Sequence, residues 1–324
     1  MQIHVEKKRY QLHKPFIITG HVFEYTDVIE VTITDGTYSG HGEAVGTYYL
    51  DETADSMMAD LAQFSANTQA LTHRDIAEAL PACGARNALD CALWDFQAKH
   101  DGRSVWQTLA LQPKQLTTVF TIGLAGAEEM AENAAKASAF KHLKLKISDD
   151  SPIEKLEAIR RARPDATLVI DVNQGWSFAE LVEYAPHCDR LNIAMIEQPL
   201  ERGKDDELVG YRAPVPLGAD ESCLHLGEFA AMPEKYQVLN IKLDKCGGLT
   251  EGLQLVEAAK ANGMQLMIGN MTGSSLSMAP AYVVGQFCQF IDIDGPLLQK
   301  DDVEHGLLYQ NGGEVSIPTA ALWG

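Results

Sequence analysis

The sequence lacks the apolar segments that mark membrane and secreted proteins. No apolar run approaches the roughly 20 residues of a membrane-spanning helix. The opening segment, MQIHVEKKRYQLHKPF, has no apolar stretch like that of a signal peptide. We therefore expect no membrane span, no membrane partner and no secretion signal.

Cysteine pairs with zinc-binding spacing are also missing. The chain has six scattered cysteines: Cys83, Cys91, Cys188, Cys223, Cys246 and Cys288. None belongs to a Cys-x-x-Cys pair, and scattered thiols in a chain of this length fit a reducing compartment. This predicts a cytoplasmic protein in which the cysteines are buried as small apolar residues.

Positive charge is scarce. The chain has 26 lysines and arginines against 45 aspartates and glutamates, which gives a net charge of −19 and a pI near 4.8. Such a surface repels nucleic acid and anionic lipid, so neither is an expected partner. The 324 residues, 46% of them hydrophobic, suffice for one large domain or two.

The first third of the chain has the pattern of an α+β unit. Residues 1 to about 50 alternate between apolar and polar positions, and Asp35-Gly36 marks a tight turn between two strands. From Glu52 to about Ala110 the apolar spacing becomes helical, and the segment ARNALDCALWDFQAKHDG ends at Gly102. We predict an α+β domain over residues 1–112.

From Thr117 onward, short apolar runs alternate with helical segments. The eight runs are TVFTIGL, HLKLKI, ATLVIDV, IAMIEQP, PLGADES, VLNIKLD, QLMIGN and QFIDID. Eight such units predict a closed parallel barrel over residues 113–298, with its working face at the carboxyl ends of the strands. The rival open sheet usually has a glycine-rich first turn, and no GxGxxG follows the first strand here. Residues 299–324 are too few for a domain and are expected to return to the first one.

Lone acidic residues stand at the ends of three successive predicted strands. Asp171 and Glu197 are 26 residues apart, and Glu197 and Asp220 are 23 apart, each about one βα unit. Three carboxylates at close range need a cation between them, and an all-oxygen set suits Mg²⁺. Each acid alone could be a helix N-cap or a surface residue, but the shared spacing favours a site for one Mg²⁺.

Lysines stand on two further strands. Lys144 and Lys146 share a face of the second predicted strand, because side chains alternate. Lys242 ends the sixth strand, which lies opposite in a ring of eight. Adjacent ammonium groups lower each other's pKa, so one lysine of the pair is expected to act as a base. The alternative is that Lys144 and Lys146 are solvated tips of an exposed strand.

Two other segments predict substrate contacts. Asp292 and Asp294 alternate along the eighth strand, and an acidic pair beside a filled metal site calls for an ammonium group. Asp294 could instead simply start the Asp-Gly-Pro turn. The segment GNMTGSS, residues 269–275, has amides before a helix that could hold a carboxylate or merely cap the helix. Asn270 and Thr272 in this segment are candidate substrate-binding residues.

Together these motifs resemble the enolase superfamily, muconate lactonizing enzyme subgroup. The resemblance runs nearly from end to end and rests on ARNALDCALWDFQAK, LKLKI, DVNQGW, IEQPL, ADES and NIKLDKCGG. Within the subgroup, IDIDGP is similar to the mark of dipeptide epimerases, whose best-known activity is on L-Ala-D/L-Glu. The implied fold is a (β/α)8-type barrel, TIM-like in a modified (β/α)7β form, with the N-terminal α+β domain as a cap.

The resemblance also implies roles for the site residues. It assigns the metal ligands to three residues: Asp171, Glu197 and Asp220. It makes Lys146 and Lys242 the two bases, with Lys144 tuning Lys146, and gives Asp292 and Asp294 the α-ammonium group of a dipeptide. The implied reaction inverts the second residue by two-base 1,1-proton transfer through an enolate, and a Lys base beside Mg²⁺ is the general description of enolase-superfamily sites.

One departure from the family pattern concerns the substrate. Relatives that act on Ala-Glu tend to have an arginine in the first capping loop, and here Phe23 is near that position in ITGHVFEYTD. Residues 15–73 contain nine acids and no lysine or arginine. With Phe23 and Tyr48 as candidate lining residues, we expect apolar or cationic dipeptides to be preferred over Ala-Glu. Many of these acids could instead face solvent.

Two other functions stay open at this point. An N-succinylamino acid racemase or o-succinylbenzoate synthase would keep the fold, but its substrate lacks the ammonium group that the acidic pair would bind. A non-catalytic binding protein on the same barrel would usually lack a ligand or a base, and none is missing here. A homo-oligomer is compatible with the sequence.

Overall fold

The chain begins with an antiparallel sheet. The computed structural model describes residues 1–64, 71–148 and 150–324. The sheet has the order β1 (Gln2–Ile18), β2 (His21–Thr34) and β3 (Ser39–Ala44). The predicted turn joins β2 to β3, and Asp35 Oδ1 accepts hydrogen bonds from the amides of Thr37 and Tyr38, each 2.8 Å long.

Four helices follow this sheet. They are α1 (Ala54–Gln63), α2 (His73–Ala79), α3 (Gly84–Asp101) and α4 (Val105–Thr108). α3 is the helix predicted from ARNALDCALWDFQAKHDG, and its C-cap is Gly102, with a φ of 62°. It is buried along most of its length because the sheet packs on one side and barrel helices on the other. The predicted helical stretch also includes residues 65–70, which lie outside the described residues.

A parallel barrel forms the second part. After β4 (Leu116–Thr117) come eight parallel strands in chain order: β5 (Phe120–Ile122), β6 (His142–Lys146), β7 (Thr167–Asp171), β8 (Ile193–Glu197), β9 (Leu217–Ala219), β10 (Val238–Ile241), β11 (Gln265–Ile268) and β12 (Phe290–Ile291). The amide of Val119, just before β5, donates to the carbonyl of Ile291 at 2.8 Å. The first and last strands therefore meet, and the predicted barrel with its N-terminal domain is confirmed.

Helices and short turns connect the strands. The helices are α5 (Ala127–Lys136), α6 (Pro152–Ala162), α7 (Phe178–Arg190), α8 (Met232–Lys235), α9 (Leu243–Cys246), α10 (Leu249–Ala261), α11 (Ser275–Gly285) and α12 (Gly295–Leu298). Between β8 and β9 a 3-10 turn, Asp206–Leu208, takes the place of an α-helix. In the part of the chain that the structure describes, no helix combines the length and hydropathy of a membrane-spanning segment.

The barrel interior has an apolar floor below a charged layer. The floor is a cluster of buried side chains, separate from the core between sheet and helices: Val169, Met195, Val238 and Met267. Because side chains alternate along a strand, the residue two positions later points into the same interior. In β7, β8 and β10 those residues are Asp171, Glu197 and Asn240. Strand alternation thus places polar groups directly above the floor.

The C-terminal segment contacts both parts. β13 (Glu314–Val315) pairs with β4. The indole of Trp323 donates to the carbonyl of Cys91 at 3.0 Å, and the amide of Gly324 donates to Asp95 Oδ1 at 2.7 Å. Cys91 and Asp95 both belong to α3, so this segment helps to fix that helix against the barrel.

β3 and α3 approach so closely at Gly42 that we expect no larger residue to be tolerated there. A Cβ atom at Gly42 would lie 2.2 Å from the carbonyl oxygen of Ala88 in α3. We expect Gly42→Ala to lower the free energy of unfolding by about 2–3 kcal/mol, because the clash is with backbone. Urea denaturation followed by circular dichroism measures the loss.

Gly126→Ala is the matched control for this change. The new Cβ there would meet no atom within 4 Å, and the loss should stay below about 1 kcal/mol. Equal losses in the two variants would contradict the packing argument.

Candidate active site

Three carboxylates converge at the carboxyl edge of the barrel. Asp171 and Glu197 end β7 and β8 and are paired in register, and Asp220 directly follows β9. All three are fully buried. One oxygen from each lies within 4.8 Å of the others. Carboxylate oxygens at these separations can bind one hard divalent cation.

Two lysines reach this cluster from different walls. Lys146 ends β6, and its Nζ lies 2.7 Å from Asp171 Oδ2. Lys242 follows β10, four strands further round, and its Nζ lies 2.7 Å from Asp220 Oδ2. Both lysines line the same cavity. The structure therefore brings both amines to one space beside the three carboxylates.

Carboxylates surround the third lysine, Lys144. Its Nζ lies 2.8 Å from Glu197 Oε2, 2.9 Å from Asp292 Oδ2 and 3.1 Å from Asp171 Oδ2. Burial opposes its charge, but these carboxylates outweigh burial and raise the pKa of Lys144 well above its usual value. Lys144 is therefore held as an ammonium group and is not the lysine of the pair that could act as a base. At 2% exposure it is not a solvated strand tip either.

Two buried residues to which the sequence analysis assigned no role hold the carboxylates in place. Asn240 Nδ2 donates to Glu197 Oε1 at 2.7 Å. Lys245 Nζ donates to the carbonyl and Oδ1 of Asp220 at 2.6 and 2.7 Å. Asn240 precedes Lys242 by two positions, so strand alternation was an available signal for it. Lys245 lies in α9, where that alternation no longer applies.

Negative charge is in excess in this layer. Among the described residues, its buried cations include four lysines: Lys144, Lys146, Lys242 and Lys245. Its buried carboxyl groups include six residues: Asp171, Glu197, Asp220, Glu221, Asp292 and Asp294. The carboxyl groups therefore outnumber the lysines, which favours the binding of a further cation. Glu197 Oε2 and Asp220 Oδ2 accept no well-formed hydrogen bond, although lysine nitrogens lie 2.8 and 2.7 Å away. The donor set therefore fits Mg²⁺.

The excess of charge affects the protonation of the carboxyl groups. Burial, and then the charge of Asp171, raises the pKa of Glu197 to about 7. Burial, and then the charge of Asp220, raises the pKa of Glu221 to about 8. Burial also opposes ionisation of Asp171, but Lys146 and Lys144 outweigh it and lower the pKa to about 2. The layer thus relieves part of its negative charge by holding protons, which a divalent cation would displace.

The acidic pair lies just beyond the eighth strand. β12 ends at Ile291, so the predicted shared strand face for Asp292 and Asp294 is wrong, and Asp294 is the N-cap of α12, as the turn alternative anticipated. Both side chains are buried nonetheless. Asn270 Nδ2 lies 2.9 Å from Asp292 Oδ1 and 3.4 Å from Asp294 Oδ1. The two carboxylates therefore gather behind Asn270, which lines the cavity.

The segment before α11 has fewer free amides than predicted. The amide of Ser274 donates to Glu43 Oε1 at 2.7 Å, and the amide of Ser275 donates to Asp302 Oδ1 at 2.9 Å. The expectation of free amides is wrong at these two positions, and the helix-cap alternative holds for them. Glu43 comes from β3, so this cap also ties the two parts of the molecule together.

Aromatic side chains from the N-terminal domain form one wall of the cavity. That side contributes Phe16, Ile18, Phe23, Tyr48, Tyr49 and Glu52, and the barrel contributes Asn270 and Thr272 besides its lysines. The ring of Tyr48 lies 5.3 Å from that of Phe23 and 5.1 Å from that of Tyr49. The predicted candidates Phe23, Tyr48, Asn270 and Thr272 therefore face one space.

The acids of the N-terminal domain are divided between this cavity and solvent. Glu52 lines the cavity, and its oxygens accept the amides of Gly84 and Thr47 at 2.8 and 2.9 Å. Asp51 and Asp55 are exposed, as the solvent alternative anticipated. Among the described residues, Lys146 and Lys242 are the cations that line the cavity. The aromatic wall thus offers no cation of its own to an anionic side chain.

The chain is similar to known proteins over nearly its whole length. Residues 1–110 match the N-terminal domain of the mandelate racemase/muconate lactonizing enzyme family, and residues 127–321 match the enolase C-terminal domain-like family. An N-acetyl-D-glutamate racemase from a Pseudoalteromonas species is 35% identical over 92% of this chain and 95% of its own length. The L-Ala-D/L-Glu epimerase of Escherichia coli K12 is 34% identical over 96% of this chain and 98% of its own.

Solved structures show the same architecture. An enolase family member from Agrobacterium tumefaciens with homology to dipeptide epimerases, solved with sodium and L-Ala-L-Glu, has a TM-score of 0.95 and 37% identity over 99% of both chains. The dipeptide epimerase of Cytophaga hutchinsonii, complexed with Mg and D-Ala-L-Val, has a TM-score of 0.92 and 26% identity over 99% of this chain and 94% of that chain.

The burial of Asp294 predicts a stability cost that depends on pH. Burial, and then the charge of Asp292, raises the pKa of Asp294 from 3.8 to about 7. The stability that this group contributes is therefore full below pH 3.8 and is lost as the pH rises through about 7. We expect Asp294→Asn, which imitates the neutral carboxyl, to raise the free energy of unfolding by about 1–3 kcal/mol at pH 8 and by less at pH 5. Thermal unfolding at both pH values measures the difference.

The neighbouring Asp292→Asn serves as the comparison. It removes a charged partner of Lys144, 2.9 Å away, and should destabilise the protein at both pH values. A gain from Asp294→Asn that does not grow with pH would contradict the raised pKa.

Proposed function

This chain belongs to the mandelate racemase/muconate lactonizing enzyme family, and we propose that it is a Mg²⁺-dependent epimerase that inverts the second residue of a dipeptide. The observation that carries the proposal is the meeting of Lys146 and Lys242, from strands four apart, in one cavity. Three buried carboxylates with oxygens within 4.8 Å of one another lie beside them.

The metal would be held by Asp171, Glu197 and Asp220. When bound, Mg²⁺ would offset the carboxylate charge and stabilise the negative charge that develops on the substrate carboxylate. Asn240 and Lys245 fix the orientation of two of these ligands through the hydrogen bonds described above.

The two lysines exchange protons with opposite faces of the α-carbon. A neutral lysine takes the α-proton, and the electron pair of the broken C–H bond is delocalised into the substrate carboxylate. The opposite lysine, as an ammonium group, gives a proton to the other face, which inverts the centre. Burial opposes the charge of Lys242, but Asp220 outweighs it and raises the pKa of Lys242 above its usual value. Lys242 is therefore an ammonium group while no cation is bound beside Asp220, and during turnover it serves as donor or as base according to which stereoisomer is bound.

The acidic pair would recognise the α-ammonium group of the dipeptide. Asp292 Oδ2 already accepts a hydrogen bond from Lys144 at 2.9 Å, so the ammonium group would share this carboxylate and meet Asp294 beside Asn270. The substrate side chains would then face Phe23, Tyr48 and the rest of the aromatic wall. That wall suits apolar or cationic side chains better than anionic ones.

A racemase of N-acylated amino acids is the second candidate. It is favoured by the occupation of Asp292 by Lys144 and by the similarity to the Pseudoalteromonas racemase. An N-acetylated amino acid has no ammonium group, so its turnover relative to the matching dipeptide distinguishes the two candidates. We expect the dipeptide to be preferred.

Replacement of either lysine by alanine should strongly reduce the rate of epimerisation. We expect Lys146→Ala and Lys242→Ala each to lower the rate by about 10²–10⁴-fold, because one face of the α-carbon then has no proton carrier. Each variant should still exchange the α-proton of one stereoisomer with D₂O, and the two should act on opposite stereoisomers. Proton NMR in D₂O with Mg²⁺, and after chelation by EDTA, measures both reactions.

Lys235→Ala is the matched control. Lys235 is a partly buried lysine whose Nζ lies 2.8 Å from Asp205 Oδ1, in a cluster outside the active-site cavity. It should keep wild-type activity. Retained epimerisation by Lys146→Ala or Lys242→Ala would refute the two-base scheme.

The position of Phe23 in the cavity wall predicts which dipeptides have the higher kcat/KM. We expect kcat/KM for L-Ala-L-Leu and L-Ala-L-Lys to exceed that for L-Ala-L-Glu, and Phe23→Arg to raise the relative value for L-Ala-L-Glu about tenfold. Val22→Arg adds the same charge at an exposed neighbouring position, 55% accessible, and should leave the order unchanged. A wild-type preference for L-Ala-L-Glu would overturn the specificity proposal while leaving the epimerase proposal intact.

A further inference from the structure

One loop of the N-terminal domain forms much of the cavity wall. Residues 45–52, called the second capping loop here, include Tyr48, Tyr49 and Glu52, all of which line the cavity. Tyr49 Oη is buried and has no hydrogen-bond partner among the described residues. A buried hydroxyl without a partner costs free energy, so the hydroxyl of Tyr49 is available to donate a hydrogen bond to a bound substrate. The position of the loop determines where this donor lies.

The base of this loop is held by carboxylates. The amides of Val45 and Gly46 donate to a single oxygen, Asp244 Oδ1, at 2.9 and 3.0 Å. The next amide, that of Thr47, donates to Glu52 Oε2 at 2.9 Å. Hydrogen bonds to an ionised acceptor are stronger than those between neutral groups. Glu52 belongs to the loop itself, whereas Asp244 comes from the barrel.

Asp244 lies on the helical turn that follows a proposed base. It is 3% exposed in α9, two residues after Lys242, which is the N-cap of that helix. Lys245, on the same turn, holds Asp220. This helical turn therefore begins at Lys242, binds Asp220 through Lys245, and binds the base of the loop through Asp244.

α9 is fixed from the opposite end as well. Arg86 of α3 donates to the carbonyls of Cys246 and Gly247 at 2.5 and 3.2 Å. These hydrogen bonds hold α9 against the N-terminal domain. The Asp244 carboxylate therefore keeps a constant position relative to the loop.

We propose that Asp244 is a positioning residue, which holds the second capping loop over the cavity and so helps to enclose the substrate. Its kinetic consequence rests on the proposed epimerase function. Its structural consequence, the anchoring of residues 45–52, does not.

The test compares replacements of Asp244 in the full chain with Mg²⁺. Asp244→Ala should speed hydrogen–deuterium exchange of residues 45–52 and raise KM for the dipeptide that the wild type turns over best, each about tenfold, with kcat changed less than about threefold. Asp244→Asn keeps an oxygen for both amides and should restore most of both properties. Asp244→Glu keeps the charge but moves it by one methylene, and it should give intermediate values.

Asp90→Ala is the matched control. Asp90 is also a buried carboxylate at this interface, and it accepts hydrogen bonds from the amide and hydroxyl of Thr250 at 2.9 and 2.7 Å. It does not bind the loop, so this variant should lose comparable stability in thermal unfolding yet keep wild-type exchange in residues 45–52 and a wild-type KM.

Two outcomes would overturn the proposal. One is exchange of residues 45–52 in Asp244→Ala no faster than in Asp90→Ala. The other is an Asp244→Asn variant as impaired as Asp244→Ala. If Asp244→Ala does not fold, Asp244→Glu takes its place in the comparison. If the wild type epimerises no dipeptide, the proposed function fails, while the exchange measurements still decide whether Asp244 anchors the loop.

Discussion

The feature on which the rest of the structure depends is a layer of buried carboxylates that its own lysines do not fully neutralise. Among the described residues, at least six carboxyl groups and four lysines are buried at the carboxyl edge of the barrel. Water cannot screen them from below, since Val169, Met195, Val238 and Met267 fill the interior beneath. Such a layer is costly to fold unless positive charge lies beside it. Its lysines supply part of that charge, and the three carboxylates of Asp171, Glu197 and Asp220 are placed so that a metal ion could supply more.

The N-terminal domain is joined to this layer by polar contacts as well as by packing. Arg86 and Asp90 of α3 contact the segment Cys246-Gly247-Gly248-Leu249-Thr250 of the barrel. The glycines permit that approach, since a Cβ at Gly248 would lie 2.5 Å from Asp90 Oδ2. The motif NIKLDKCGG therefore combines a lysine, an anchor for a loop and a socket for the other domain. This accounts in physical terms for its closely spaced polar residues and glycines.

The sequence predicted the parts of the site that depend on one strand and its period. Asp171, Glu197 and Lys146 end regular strands, so their spacing and alternation were sufficient to place them. It could not predict the partners of Lys144, because Asp292 reaches that lysine only after the barrel closes. It also misplaced Asp292 and Asp294 on a strand, since β12 stops at Ile291. Glu43 binds Ser274 across 231 residues, and no local pattern carries such a contact.

The contact at Gly247 and Gly248 restricts how the N-terminal domain and the barrel can change. Arg86 and Asp90 fit a socket with no spare volume, so an N-terminal domain from one relative and a barrel from another would assemble only where both sides of that contact agree. Point changes in the aromatic loops escape this restriction. Residues of those loops can therefore change one at a time, whereas exchange of a whole domain is restricted by the fit of Arg86 and Asp90 against Gly247 and Gly248.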